Sequence, residues 1–324
     1  MKRWICMLML LVLALCLCGC GQKEETSAVE TEDFVVVGFS QVGAESDWRV
    51  ANTLSMQEAL SEENGYRLIF DDAQNKQERQ ITAIRNFIQQ EVDYIVLAPT
   101  TETGWDTVLM EAKAAGIPVI LVDRQIKVED DSLFSCWVGS DFYLQGKTAV
   151  KWMEQNYAGQ ELRILHLQGN YGTTAQLGRT VGLDEGLENN PGWTLAYRQS
   201  GEFTQGKGQE LVEDCIANGV EFDLVYAEND NMAYGAVDAM KAAGLTPGED
   251  VVVVSFDASH NALQMTLNGE ISFDVECNPL HGPRVKSIIE KLEAGMMPPK
   301  YTFVDETTFD CETITQEMID AREY

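Results

Sequence analysis

The chain has 324 residues, 45% hydrophobic and 23% charged, with 52 acidic and 23 basic side chains and a formal charge of −29. This is a globular composition, which excludes wholesale disorder or a fibrous repeat, and the length indicates roughly two domains. The negative charge excludes nucleic-acid binding, because no surplus of Lys and Arg is available to neutralise phosphates. The three histidines have no Cys or carboxylate at metal-ligand spacing, so no metal site is expected.

The first twenty residues predict an export signal. A basic start precedes an apolar run from Trp4 to Leu17, and this run is too short for a membrane-spanning helix, which needs about 20 residues. The following Leu17-Cys18-Gly19-Cys20 resembles the lipobox of bacterial lipoproteins, in which cleavage precedes the cysteine that receives the lipid. We therefore predict a signal peptide at 1–19 and a lipidated Cys20. A plain signal peptide that is cut nearby is the alternative.

Residues 20–33 are predicted to form a tether between this anchor and a folded body. The stretch has few apolar side chains and no hydrophobic period, which is typical of a solvated linker. The cysteines beyond it are far apart and fall within predicted strands or helices, so we expect buried small hydrophobic residues rather than a disulfide scaffold. A single bridge among them is left open. They are Cys136, Cys215, Cys277 and Cys311.

Short apolar runs alternate with amphipathic segments in the first half of the body. The first amphipathic segment predicts a helix over 47–64, with Val50, Leu54 and Leu60 on one apolar face. The strands are apolar throughout rather than alternating, which indicates a parallel sheet covered on both faces. The predicted strands are 34–39, 67–70, 93–98 and 117–122.

The same pattern starts again in the second half. The segment from Ala98 to Asp123 resembles that from Ala227 to Asp257, and each finishes a strand with an aspartate. The sequence therefore predicts an α/β protein of two doubly wound parallel-sheet lobes. The predicted strands of the second lobe are 162–167, 194–197, 222–226, 251–256 and 271–275.

Polar and aromatic side chains collect where the predicted strands end. Ligands of open α/β sheets bind beyond the carboxyl ends of the strands, and these positions hold no nucleophile–base pair. Carboxylates, guanidinium groups and amides pair with sugar hydroxyls, while aromatic rings cover the apolar face of a sugar. The candidate ligand-binding residues are Glu45, Trp48, Arg49, Asp123, Arg124, Phe203, Asn229, Asp257 and Glu276.

Each candidate also has a purely structural interpretation. A tryptophan at a helix start, such as Trp48, is more often a core residue than a binding platform. Asp123 and Asp257 could cap the loops that follow their strands, and Arg49 and Arg124 could balance neighbouring carboxylates. The convergence of these residues on one edge of two lobes favours a ligand site.

Several segments resemble the substrate-binding proteins of sugar ABC importers, within the ribose and galactose group and most closely its galactofuranose-binding members. They include VGFSQVGAESDWR at 37–49, LQGNYGTTAQLGR at 167–179 and VYAENDNMAYGA at 225–236. The resemblance runs from Val35 to Pro299 and implies the type 1 periplasmic-binding-protein fold, with two lobes joined by a hinge. It also implies a receptor without catalysis or cofactor.

The resemblance implies a role for each candidate. Trp48 is expected to stack on the sugar, with Glu45 and Arg49 bonding its hydroxyls, and Asp123 and Arg124 are expected to pair as acceptor and donor. The second lobe is expected to supply an aromatic face and polar ligands from Phe203, Asn229, Asp257 and Glu276.

Some positions depart from the family pattern. Leu177 stands where ribose binders carry an arginine, which argues against ribose, and Asp47 and Gln205 also differ from the usual residues. The exact sugar, its anomer and its ring form therefore stay open.

The family fold crosses between its lobes three times. This implies hinges near Gly139, Cys277 and Asp305. The implied N-terminal lobe comprises 34–138 and 277–305, and the C-terminal lobe comprises 139–276 and 306–324.

The leading hypothesis is a monomeric, lipid-anchored extracytoplasmic receptor. It captures a monosaccharide between its lobes and delivers it to the membrane permease of an ABC importer. A sugar-sensing ectodomain that serves a membrane kinase or chemoreceptor is the alternative, with an identical pocket. A third hypothesis is a glycoside hydrolase that uses two of the carboxylates as a catalytic pair.

Overall fold

The structure, a computed structural model, describes residues 34–324. The predicted signal peptide (1–19), the predicted lipidation site Cys20 and the tether (20–33) lie outside the described residues. Within 34–324, no helix is long and apolar enough to cross a membrane.

The elements follow a strand–helix alternation. The first lobe begins with β1 (Val35–Gln41), α1 (Asp47–Ala59), β2 (Tyr66–Asp72), α2 (Gln77–Gln89), β3 (Tyr94–Leu97), α3 (Asp106–Ala114), β4 (Val119–Val122) and β5 (Cys136–Gly139). The second lobe continues with α4 (Phe142–Tyr157), β6 (Leu162–Gln168), α5 (Thr174–Asn189), β7 (Trp193–Ser200), α6 (Gln205–Ala217), β8 (Leu224–Ala227), α7 (Asp230–Ala242), β9 (Val252–Asp257), α8 (His260–Leu267) and β10 (Phe273–Glu276). The last described elements are α9 (Gly282–Glu293), β11 (Tyr301–Phe303), β12 (Thr308–Asp310) and α10 (Gln316–Asp320).

Two six-stranded sheets have the same internal order. The first runs β11-β5-β4-β3-β1-β2 and the second runs β12-β10-β9-β8-β6-β7. All pairs are parallel except β10 with β12. The chain order reverses beside β1 in one sheet and beside β6 in the other, and such switch points are where α/β sheets bind ligands. The predicted fold of two doubly wound parallel-sheet lobes is confirmed.

The chain passes between the two sheets at three places. It leaves the first sheet after β5, returns after β10 so that α9 packs on α1, and leaves again between β11 and β12. The implied lobe boundaries and the hinges near Gly139, Cys277 and Asp305 stay predictions, because they state which segments move together when the lobes rotate.

Apolar side chains cover both faces of each sheet. On the first sheet, Val37 and Phe39 pack on the side of α1 and α9, while Ile95 and Leu97 pack on the side of α2 and α3. The four cysteines within 34–324 are unpaired, and three of them are buried. This agrees with their expected role as small core residues.

Helix α1 differs from its prediction. It ends at Ala59, and Val50 and Leu54 of the predicted apolar face are 46% and 58% exposed. The buried face instead carries Arg49 and Asn52. Asn52 donates from Nδ2 to the carbonyl of Pro279 at 2.8 Å, so the first half of this face contacts the second crossing and the site, while Met56 packs in the apolar core.

Candidate functional site

A cavity lies between the two lobes at the carboxyl ends of their strands. It contains about 310 Å³ of space free of protein atoms, part of which opens to solvent. It is lined by Glu45, Ser46, Trp48, Arg49, Asp123, Arg124, Phe142, Ala175, Arg179, Phe203, Asn229, Asp257 and Cys277.

Local capping places the first-lobe loop. Ser46 caps α1 by accepting from the backbone N–H of Arg49 at 3.2 Å. This directs the first turn of the helix, with Trp48 and Arg49, into the cavity between the lobes. A serine at the N-cap satisfies a backbone donor that the helix itself cannot pair.

The first-lobe half of the cavity is a compact set of ion pairs. Arg49 Nη1 lies 2.8 Å from Asp123 Oδ2, and its Nε lies 3.3 Å from Glu45 Oε1. Arg124 Nη2 is 3.6 Å from the same Glu45 oxygen. Burial alone would raise the pKa of Asp123, but Arg49 and Arg124 outweigh burial and lower it. Asp123 is therefore an ionised hydrogen-bond acceptor.

Arg124 and Glu45 retain unused hydrogen-bonding capacity. Arg124 Nε and Nη1 and Glu45 Oε2 are buried and have no hydrogen-bond partner among residues 34–324. Burial and the neighbouring Arg49 lower the pKa of Arg124 to about 10, so it is still charged at neutral pH. Buried polar groups are nearly always paired in native structures, so these atoms indicate a polar ligand.

The second-lobe half is built on Arg179. Its Nη2 lies 3.2 Å from Asp257 Oδ1, its Nε donates to Gln145 Oε1 at 3.0 Å, and its Nη1 donates to the carbonyl of Glu228. Burial raises the pKa of Asp257 well above its ordinary value, although Arg179 opposes that rise. The ion pair with Arg179 is thus what favours the charged form of this carboxylate.

Aromatic side chains from both lobes contribute to the apolar part of the cavity. Trp48 donates from Nε1 to the carbonyl of Cys277 at 2.6 Å and packs with the apolar cluster of the second lobe. Phe203 lies with its ring 5.6 Å from the guanidinium carbon of Arg124. Each lobe thus places an aromatic ring at the cavity between them.

Three cavity residues have left-handed backbone conformations. The φ angles of Asp123, Phe203 and Asp257 are 63°, 60° and 114°. Non-glycine residues adopt such angles at an energetic cost, and they cluster at functional sites where the surroundings hold them. Two of the three are the aspartates that end equivalent strands, β4 and β9.

The lobes contact each other directly beside the cavity. The backbone N–H of Asp47 donates to Asn231 Oδ1 at 3.0 Å, and that of Gln125 donates to Thr174 Oγ1 at 3.2 Å. The first bond joins the start of α1, and the second joins the loop after β4, to the first turn of a second-lobe helix. The lobes are therefore in direct contact beside the cavity, which opens to solvent on one part of its surface.

The structure brings eight of the nine sequence candidates to this cavity and leaves one outside. Glu276 is absent from the lining residues because its carboxylate is used elsewhere. Its Oε2 accepts from the backbone N–H of Thr307 at 2.9 Å, and its Oε1 accepts from Arg322 and from the Tyr324 hydroxyl at 3.1 Å each. It joins β10 to the last segment of the chain instead of facing a ligand.

Asn229 both caps a helix and lines the cavity. Its Oδ1 caps α7 by accepting from Met232 N at 3.0 Å, and its Nδ2 donates to the carbonyl of Phe203 at 3.1 Å. One Nδ2 hydrogen is left for another acceptor.

Arg179 is a cavity residue that was not among the sequence candidates. Leu177, which departs from the pattern of the ribose binders, is 37% exposed and does not line the cavity, whereas Arg179 is 2% exposed and does. A signal existed: Arg179 occupies the same helical stripe as Ala175, Gly182 and Leu183. A charged residue on a stripe of small and apolar residues marks a buried ion pair or a ligand contact.

Comparison with known proteins adds three findings. The family model described as a periplasmic binding protein domain matches residues 37–281. The galactofuranose-binding protein YtfQ of Escherichia coli is 39% identical over 288 residues, covering 88% of this chain and 90% of that protein. Among solved structures, one from Mycobacterium smegmatis in complex with β-D-fucofuranose is 40% identical, with a TM-score of 0.83 and coverage of 89% and 93% of the two chains.

A further solved structure is similar to the same degree. The periplasmic binding protein of the arabinose ABC transporter from Shewanella sp. ANA-3, bound to α- and β-L-arabinofuranose, is 40% identical with a TM-score of 0.84. The match covers 89% of this chain and 95% of that one. Each of these three relatives is matched over at least 88% of this chain.

Proposed function

The chain belongs to the periplasmic binding protein family, as a sugar receptor of the ABC-importer type that acts outside the cytoplasm, and from this premise we propose that its ligand is a galactofuranose-like monosaccharide. Members of this family are substrate receptors rather than enzymes. The observation that carries the proposal is the cavity between the lobes, where buried groups of Arg124 and Glu45 that have no partner among residues 34–324 lie beside aromatic rings.

The ligands of the similar proteins define a common ring. Galactofuranose, D-fucofuranose and L-arabinofuranose have the same configuration at C2, C3 and C4, and they differ only in the carbon chain beyond C4. The names of three similar proteins thus support a five-membered ring of this configuration. The length of the exocyclic chain is the variable that binding measurements must decide.

The charges at the cavity support a neutral ligand. The arginines Arg49, Arg124 and Arg179 each lie within ion-pair distance of one or more of the carboxyl groups of Glu45, Asp123 and Asp257. A neutral sugar leaves these pairs intact, while its hydroxyls donate to the carboxylates and accept from the guanidinium groups. A sugar in which one hydroxyl is absent or misplaced would leave a buried polar group of the cavity unpaired, which is a strong source of selectivity.

Isothermal titration calorimetry tests the proposal with L-arabinose, D-fucose and D-galactose, and with D-glucose as the control. Because furanose forms are minor species in solution, the apparent Kd is weakened by the furanose fraction. Binding of at least one of the first three is expected. At a hundredfold excess over Kd it should stabilise the fold by about 2.7 kcal/mol, a rise in Tm of about 5 °C. Absence of heat and of a Tm shift with all three contradicts the proposal.

The proposal includes a lipid anchor at Cys20 and rotation of the lobes about the three crossings. A lipobox-like sequence supports the anchor, which would hold the receptor at the membrane face beside the permease. In detergent phase separation, full-length protein from cells is expected in the detergent phase and the Cys20→Ala variant in the aqueous phase. Recovery of both in the aqueous phase contradicts the anchor.

A further inference from the structure

Three consecutive residues, Glu228, Asn229 and Asp230, follow β8, the strand that lies between β6 and β9 in the second sheet. All three are essentially fully buried. Only Asn229 lines the cavity, yet each side chain binds a different part of the surrounding site. Their position at the centre of the sheet lets them reach the loops on both sides.

Glu228 holds the loop that follows β6. Its Oε2 accepts from the backbone N–H of Gly169 at 2.7 Å, and its Oε1 accepts from Thr180 Oγ1 at 2.6 Å. Its main-chain carbonyl accepts from Arg179. Gly169 in turn supports Phe203, because a Cβ atom there would lie only 1.9 Å from Cζ of the ring. One glutamate thus supports both a cation and an aromatic ring of the cavity.

A histidine completes the environment of Glu228. His166 Nδ1 accepts from Arg198 Nε at 2.9 Å, so its hydrogen is on Nε2, which lies 2.8 Å from Glu228 Oε1. The carboxylate therefore receives hydrogen bonds from a backbone amide, a hydroxyl and an imidazole. A glutamine side chain has a single acceptor atom, so it cannot accept hydrogen bonds at both the Oε1 and the Oε2 positions of Glu228.

Asp230 holds the loop that carries Asp257. Its Oδ1 accepts from Ser255 Oγ at 2.7 Å, and its Oδ2 accepts from the backbone N–H and Oγ of Ser259 at 2.9 and 2.8 Å. Asp257 lies between these two serines with a φ of 114°. Fixing the chain on both sides of a strained residue is how a fold retains such a conformation.

We propose that Glu228 and Asp230 are positioning residues that set the sugar selectivity of the second-lobe half of the cavity. Glu228 fixes Phe203 and Arg179 relative to the first-lobe residues, and Asp230 fixes Asp257. Neither contacts the sugar. The inference rests on the proposed sugar-binding function.

The test is calorimetry on the wild type, Glu228→Gln and Asp230→Asn with L-arabinose and D-fucose, which differ only in the chain beyond C4. Because loss of a hydrogen bond to a buried charged group corresponds to about tenfold or more in an equilibrium constant, a tenfold higher Kd is expected for each variant. The ratio of the two Kd values is expected to change at least about threefold, since only contacts on one side of the sugar move.

Asp223→Asn is the matched control. Asp223 immediately precedes β8 and accepts from the backbone N–H of Arg163 on β6 at 2.8 Å, so it bridges the same two strands at their opposite ends. We expect a lower Tm with an unchanged Kd and Kd ratio. If Glu228→Gln does not fold, Thr180→Val removes one donor to the same carboxylate and is expected to change the ratio in the same direction by a smaller factor.

The outcomes separate the inference from the proposed function. If the wild type binds the sugars but the Kd ratio is unchanged in Glu228→Gln and Asp230→Asn, or in Thr180→Val, the inference is overturned and the proposed function stands. A ratio that changes equally in Asp223→Asn also overturns it, because the effect would then follow from general destabilisation. Absence of wild-type binding to both sugars and to D-galactose overturns the proposed function and the inference with it.

Discussion

The two halves of the cavity are held in place by different means. In the first lobe, Arg49, Asp123 and Glu45 neutralise one another directly within the cavity wall. In the second lobe, Arg179 and Asp257 form one ion pair. This ion pair and the ring of Phe203 are held by the buried carboxylates of Glu228 and Asp230, which do not line the cavity.

The difference teaches which substitutions each half tolerates. A change in the first half removes a charge that other buried charges need, so binding and stability fall together. The second half can be altered from behind without touching a ligand-facing atom. Selectivity is therefore easier to tune through the second lobe, while affinity depends most heavily on the first.

The largest effect is expected for Asp123→Asn, which leaves two buried guanidinium groups facing the single carboxylate of Glu45. Removing one partner of a buried ion pair costs about 3–5 kcal/mol. Urea unfolding should show a loss of about 3 kcal/mol, and calorimetry a loss of sugar affinity of roughly a hundredfold or more. Glu111→Gln, which removes an exposed ion pair with Arg85, should leave the Kd unchanged. A wild-type Kd in Asp123→Asn would contradict direct neutralisation.

Gly169→Ala should weaken binding by about tenfold, because the added methyl group overlaps the Phe203 ring and overpacking costs about 1–3 kcal/mol. Its control is Gly206→Ala, since a Cβ atom at Gly206 meets nothing within 4 Å. Calorimetry and Tm are measured on both. Equal Kd values in the two variants would mean that the ring does not depend on Gly169.

The halves are expected to respond oppositely to pH. Burial raises the pKa of Asp230 to about 6, and burial with the neighbouring Asp230 and Asp257 raises that of Asp274, whereas the pKa of Asp123 is lowered. The stability from a group with a raised pKa is fully present below about pH 4 and is lost as pH rises through the folded-state value. The stability from Asp123 is present above about pH 4 and is lost as pH falls through its lowered value.

Asp274→Asn tests this opposition, because asparagine can still donate to Asp230 but cannot ionise. The free energy of unfolding of the variant, relative to the wild type, should rise by about 1 kcal/mol between pH 5 and pH 7. Urea titrations at the two pH values measure it. Parallel pH profiles for the two proteins would show that the pair of aspartates does not share a proton.

The smallest effect is expected for Glu276→Gln. The carboxylate of Glu276 binds Thr307, Arg322 and Tyr324 rather than the cavity, so Tm should fall while the Kd stays within about twofold. A tenfold loss of affinity at constant Tm would restore Glu276 as a sugar ligand.

Local pattern explains how much of the fold could be predicted. Continuous apolar runs such as 117–122 predict buried parallel strands directly. The short strand β5 and the three-residue strands β11 and β12 were missed, because their few residues have no distinctive period. The apolar residues of helix α1 did not indicate its buried face, since Arg49 and Asn52 are buried by long-range contacts that no local pattern records.

The cavity was predictable to the extent that its residues follow strands. Asp123 and Asp257 end strands and were found by position alone, whereas Arg179 lies within a helix and was not. The supporting roles of Glu228 and Asp230 depend on which loops the sheet order brings together. That order is a property of the whole fold.

The hydrogen bond from Trp48 to the carbonyl of Cys277 has a practical consequence. It attaches an indole of the first lobe to the segment where the chain re-enters that lobe from the second. Any rotation that separates the lobes must alter the polarity around this ring. Its fluorescence emission is therefore an intrinsic, label-free signal of opening and closing, suited to stopped-flow measurement of how fast a guest is captured and released.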